Sequence, residues 1–140
     1  MKKGFSLVET LSALVVIGLL VGSFAGPFLR LTQKYRLRSA VQSIHSRMNT
    51  ARYAAVFKGI KHRVVFDADS ITLETYEDES SSWKGVAVHF IEGVVVQANN
   101  SPVFLPRGTV TNLATIMVTN AWGGYKITLA ISGRIKIAPI

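Results

Sequence analysis

The sequence predicts an α+β protein: one long N-terminal helix, transmembrane at first and amphipathic afterwards, followed by an antiparallel β-sheet domain in two sheets. Three observations predict it. Thr10–Leu29 is a run of twenty residues without a charge. Apolar residues then recur at Leu37, Val41, Ile44, Met48, Ala51 and Ala55, in steps of four and three that place them on one helix face. Beyond Gly59 the helical period gives way to short alternating or apolar segments bounded by turn residues.

A chain of 140 residues has room for one domain and an appendage. Hydrophobic residues make up 49% and charged residues 17%, which excludes an intrinsically disordered chain. The absence of cysteine excludes a disulfide scaffold, a zinc ribbon and a thiol nucleophile together. The net charge of +8 is segregated. Residues 30–63 hold nine basic residues and no acid, residues 64–100 hold seven acids against Lys84 alone, and residues 101–140 hold four basic residues and no acid. A charge run is ordinarily a solvated face, and a basic block beside an apolar stretch also suits anionic lipid or nucleic acid.

As a helix, Thr10–Leu29 would be about 30 Å long, the hydrocarbon thickness of a bilayer. Lys2 and Lys3 precede it, but Arg30, Lys34, Arg36 and Arg38 follow, so flanking charge does not settle its orientation. Two processing routes compete. A secretory signal peptide would be cut after Ser23-Phe24-Ala25, releasing a domain that starts at Gly26. That route has no use for Glu9, an ionisable group at the head of an apolar run, where charge is costly.

Lys2-Lys3-Gly4-Phe5-Ser6-Leu7-Val8-Glu9, running directly into the apolar helix, closely resembles the type IV prepilin leader of pilins and of the pseudopilins of type II secretion. The resemblance implies a leader of residues 1–4, cleavage by prepilin peptidase between Gly4 and Phe5, and N-methylation of Phe5. It implies a membrane and assembly helix over 5–29 in which Glu9 pairs with the new Phe5 amine. A buried carboxylate is tolerable when an ammonium neutralises it. Thr10 and Ser12 stand where the family more often has aliphatic residues. Gly18, Gly22 and Gly26 recur every four residues, a face that lets helices approach closely in lipid or simply reflects the abundance of small residues there. Pro27 is expected to kink or open the helix.

Residues 30–59 are expected to continue as an amphipathic helix lying on the sheet, with Arg36, Arg38, Arg47, Arg52 and Lys58 on its other faces and Gly59 as its stop. From Phe5 to Lys58 such a helix would reach on the order of 80 Å. Residues 60–140 then form the β domain. Strands are expected over Arg63–Phe66, Ile71–Tyr76, Val86–Ile91, Val94–Val96, Thr115–Thr119, Lys126–Ile131 and Arg134–Ile137. Reversals are expected at Asp67-Ala68-Asp69, Ser80-Ser81-Ser82, Glu92-Gly93, Asn99-Asn100-Ser101-Pro102, Trp122-Gly123-Gly124 and Ser132-Gly133. The spacing leaves no room for crossover helices, hence the antiparallel sheet. Trp83-Lys84-Gly85, Phe104-Leu105-Pro106-Arg107-Gly108 and Gly133-Arg134-Ile135 are similar to the GspH/FimT group of minor pseudopilins and minor pilins. Gly108 and Gly133 read independently as turn positions with positive φ.

Nothing in the sequence points to catalysis, and no cofactor is implied. His45, His62 and His89 lack ligand spacing, and no Gly-x-Ser-x-Gly elbow or phosphate loop is present. Asp67, Asp69 and Glu77-Asp78-Glu79 could gather calcium only if their loops met, and read more simply as a solvated edge. The expected role is a minor pseudopilin, a structural subunit of a type II secretion pseudopilus. Its partners would be other pseudopilins or pilins through the N-terminal helix, prepilin peptidase and the inner membrane. It would be a single-pass protein with its C-terminal domain periplasmic or extracellular. The alternative is a type IV pilus minor pilin that supports pilus assembly or binds DNA for uptake. For that reading Arg107, Lys126, Arg134 and Lys136 are the candidate contacts, with Trp122 and Tyr125 available for stacking. Nucleic acid is the less favoured partner.

Overall fold

The structure, a computed structural model, describes residues 6–140, and of residues 24–30 the backbone only. The described residues form one helix, α1 (Leu7–Lys58), and nine strands. These are β1 (His62–Phe66), β2 (Ser70–Glu77), β3 (Ser82–Phe90), β4 (Val95–Ala98), β5 (Val103–Phe104), β6 (Val110–Thr111), β7 (Thr115–Asn120), β8 (Gly123–Leu129) and β9 (Ile135–Pro139). The strands form two antiparallel sheets, in the orders β3-β2-β1-β5-β6 and β4-β7-β8-β9.

The chain divides into two compact units, residues 1–32 and 33–140. In the first, the described part of α1 starts from a cap. Ser6 Oγ accepts from the Val8 amide at 3.3 Å, and the Ser6 carbonyl accepts from the Glu9 amide at 3.0 Å. Large apolar side chains from Leu7 to Val21 are exposed all along the helix. Among the described residues no helix is long and apolar enough to cross a membrane. The span expected over 5–29 is thus not shown, and its final residues have no described side chains. Pro27, expected to open the helix, does not end it.

In the second unit, Leu37, Ala40, Val41, Ile44, Met48, Ala51 and Ala55 of α1 are buried. They join Val64, Ile71 and Leu73 of one sheet and Val96, Ile116, Val118, Ile127 and Leu129 of the other in a single core. Each large side chain among them contributes about 1.5–3 kcal/mol by leaving water. The helix ends at Lys58, one residue before Gly59.

Strand bounds depart from expectation where local pattern competes with pairing. β5 and β6, two residues each between prolines and turns, are too short to show a period, yet Phe104 is fully buried. β3 begins at Ser82 rather than Val86 because Trp83 lies opposite Tyr76, their rings edge to face at 5.3 Å. β8 begins at Gly123, inside the expected turn, because the glycines allow close strand approach: a Cβ on Gly124 would lie 2.9 Å from Thr119 Cγ2.

Replacing Met48 by Ala should cost about 2–5 kcal/mol and lower the midpoint of thermal unfolding of the detergent-solubilised chain. Phe57 is 92% exposed. Its replacement by Ala should stay within about 0.5 kcal/mol. The opposite ranking would mean that the core face of α1 is misassigned.

Candidate functional site

Two regions carry the residues singled out from the sequence. The first is the start of α1. Gly4 and Phe5 lie outside the described residues. Glu9 occupies the first turn of the helix, three residues after the capping Ser6, so its carboxylate stands where the helix dipole favours negative charge. The spacing Ser6-x-x-Glu9 is a helix-start signal present in the sequence, and it escaped the sequence reading. Thr10 Oγ1 donates to the Leu7 carbonyl at 2.8 Å, Ser12 Oγ to Val8 at 2.7 Å, and Ser23 Oγ to Leu19 at 2.8 Å. Thr10 and Ser12, which depart from the aliphatic pattern, and Ser23 thereby have their hydroxyls satisfied within the helix itself. A Cβ on Gly18 or Gly22 would meet nothing within 4 Å among the described residues. Gly26 falls where only the backbone is described.

The second region is the end of the β domain that holds the turns β5–β6 and β8–β9. Arg107 sits in the first of these turns and Arg134 in the second, both exposed. Gly108 and Gly133, beside them, have φ of 80° and 78°, the left-handed conformation that a side chain resists. Arg52 of α1 connects the two turns. Its Nε donates to the Gly108 carbonyl at 3.2 Å, and a Cβ on Gly133 would lie 2.8 Å from the same nitrogen. Arg107 and Arg134 therefore flank Arg52, a residue that nothing in the local sequence marks as part of this site.

Lys126 and Lys136 lie on the outer face of the second sheet. Lys126 is opposite Ala138 and Lys136 opposite Thr128, while the alternate residues Ile127 and Leu129 point into the core. The expected aromatic partners are elsewhere. Tyr125 shares the inward face and packs against the core. Trp122 is in the β7–β8 turn, at the far end of β8 from Arg134, with Lys34 Nζ 5.3 Å from its ring centroid. The fold brings basic side chains together without the stacking surface expected beside them.

Other helix cations also engage the sheets, where solvated faces were expected. A Cβ on Gly93 would lie 2.8 Å from Arg36 Cδ, and Arg47 Nη2 is 3.4 Å from His89 Nδ1. His62 is buried, with its Nδ1 donating to the Ile60 carbonyl at 2.9 Å. Asp67 and Asp69 lie at one end of β2 and Glu77-Asp78-Glu79 at the other, so the fold does not gather them around a cation. Among the described residues no group of three or more acids and histidines is placed to hold a metal ion.

The Arg52 arrangement makes a stability prediction. Gly133→Ala should cost about 1–3 kcal/mol through its positive φ and the collision with Arg52. Arg52→Ala should cost about 0.5–1.5 kcal/mol through the lost hydrogen bond. The double variant should cost less than the sum by about 0.5 kcal/mol or more, because removing Arg52 makes room for the new methyl group. Strict additivity in a denaturation cycle would show that Arg52 does not press on Gly133.

No protein-family model and no curated protein sequence matches the chain. Among solved structures it is similar to the minor pseudopilin EpsH from the type 2 secretion system of Vibrio cholerae, in two structures. One has 15% sequence identity and a TM-score of 0.63, covering 74% of this chain and 97% of that one. The other has 14% identity and a TM-score of 0.65, covering 76% and 96%. The chain therefore has the α+β, pilin-like fold of those structures.

Proposed function

We propose that the chain is a minor pseudopilin, a structural subunit of a type II secretion pseudopilus. The observation that carries this reading is the exposed apolar helix from Leu7 to Val21 on a chain that has the fold of EpsH. A helix apolar on all sides requires an apolar medium or apolar neighbours. A bilayer supplies the first and a bundle of like helices supplies the second.

In this reading prepilin peptidase cuts between Gly4 and Phe5, and the new Phe5 amine is methylated. The apolar helix stays in the inner membrane and the β domain lies in the periplasm. Glu9 then has two supports, the helix dipole of its own first turn and the ammonium of Phe5. Drawing the subunit from lipid into a filament exchanges lipid contacts for helix contacts along Gly18, Gly22 and Gly26. The work of the protein is assembly, and no chemical step on a substrate enters it.

Intact mass and terminal sequencing of membrane-extracted protein should give N-methylated Phe5 as the first residue. A chain starting at Gly26 would make it a released secretory domain and end the filament reading. Glu9→Val should abolish incorporation into sheared or cross-linked filaments while leaving membrane insertion intact. Normal incorporation of that variant would remove Glu9 from the assembly mechanism.

A further inference from the structure

A polar cavity of about 150 Å³ lies between α1 and the end of β3. Its walls include Arg36, Ser39 and Ser43 of α1, His89 of β3 and Glu92 of the loop that follows. Arg36, Ser39, Ser43 and Arg47 are spaced by three, four and four residues, so they share one face of the helix. Arg47 joins the group through His89, with its Nη2 3.4 Å from His89 Nδ1. A guanidinium can only donate, so Nδ1 accepts and the ring proton sits on Nε2, where it is a further donor.

The chain itself leaves these polar groups unused. Thr10, Ser12, Ser23 and Thr50 turn their hydroxyls back onto α1 carbonyls, whereas the hydroxyls of Ser39 and Ser43 make no hydrogen bond among the described residues. The ion pairs among the described residues are Arg63–Glu74 and Lys84–Glu77. Arg36 therefore has no carboxylate partner among them, although Glu92 lines the same cavity. Room for the guanidinium is kept by Gly93: a Cβ there would lie 2.9 Å from Arg36 Nη1, and its φ of 73° also favours glycine.

We infer that this cavity binds an oxyanion of the phosphate class. Its donors are a guanidinium, two hydroxyls and an imidazole, drawn from two elements of the fold. A tetrahedral phosphate, with oxygens pointing in several directions, uses such a set more fully than the two coplanar oxygens of a carboxylate. No acid occurs from residue 30 to residue 63, so α1 brings no counter-charge of its own. Glu92 is exposed and is the opposing charge at the site, where it competes with the anion for Arg36. Phosphate has two sources here, the free ion and a phospholipid headgroup, because Arg36 follows Leu29, the end of the uncharged run, by seven residues. The site stands on the geometry of the second unit, and only its lipid source rests on the membrane reading proposed above.

The test titrates inorganic phosphate against the full chain in dodecyl maltoside, a detergent without phosphorus, and follows broadening of the phosphorus NMR line. Binding should saturate, and Arg36→Gln should weaken it about tenfold or more. Ser39→Ala combined with Ser43→Ala, which suits the helix, should weaken it several-fold without unfolding the chain. Glu92→Gln should tighten it several-fold, and Lys126→Gln, on the outer face of the second sheet, should leave it unchanged. Acetate should compete poorly. In nanodiscs of phosphatidylglycerol, loss of the Arg36-dependent broadening would assign the site to a lipid headgroup, and its persistence would assign it to the free ion. Absence of saturable binding, parental binding by both the Arg36 and the double serine variants, weaker binding by Glu92→Gln, or displacement by equimolar acetate would overturn the phosphate site. Those failures alongside an N-methylated Phe5 and Glu9-dependent incorporation would remove the site alone and leave the filament reading standing.

Discussion

The burial of one stripe of α1 is the interaction on which the β domain depends. Two sheets of short antiparallel strands, several only two to five residues long, have little independent stability. Leu37, Ile44 and Met48 supply a common surface that both sheets cover, so that strands distant in sequence are tied through the helix. Ala40, Ala51 and Ala55 on the same stripe keep the backbone close to the sheets. The small residues matter as much as the large ones. A bulkier row would hold the sheets apart and open voids around Phe104 and Ile116, both fully buried.

The helix also holds the periphery, through cations that reach past the stripe. Arg36 packs beside Gly93, Arg47 reaches His89, and Arg52 ties Gly108 to Gly133. These contacts use long apolar stems as much as charge. They explain why a segment with nine basic residues and no acid is not merely a solvated face. On the first sheet a similar economy operates between Arg63 and Glu74, whose Nε and Oε2 are 2.6 Å apart, with the Arg63 guanidinium 4.4 Å from the Trp83 ring centroid. Cations in this domain are spent partly on positioning loops, which leaves Arg107, Lys126, Arg134 and Lys136 as exposed charge at one end and one face.

Legibility followed the range of the interaction. The α1 stripe was readable because a helix converts a local spacing into a face, and all six of its expected residues are buried. The larger strands and most reversals were readable for the same reason, since alternation and turn chemistry are local. β5 and β6 were not, because two residues carry no period and their pairing is decided elsewhere in the fold, β5 lying against His62 and Arg63 of β1 and β6 against β5. Gly123 and Gly124 misled because glycine serves both turns and close strand approach. Ser6 as a helix cap was legible and overlooked. Arg52 was illegible in principle, since its role exists only once two turns more than twenty residues apart are brought to the same guanidinium.

The apolar part of α1 isolates one unresolved charge. Its hydroxyls at Thr10, Ser12 and Ser23 close back onto the helix, so each can enter a medium without water at little cost. Gly18 and Gly22 expose only backbone that the helix has already hydrogen-bonded. Glu9 is the single acid or base between Ser6 and Leu29, and a carboxylate has no such internal escape. The helix dipole offsets part of its desolvation but is smaller than the several kcal/mol that burial of an ion costs. A cation brought to the head of the helix would supply the remainder, and the proposed cleavage creates one at Phe5, four residues away. On that argument the proposed cleavage would do more than remove Lys2 and Lys3: it would make the charge that allows the first turn of α1 to leave water.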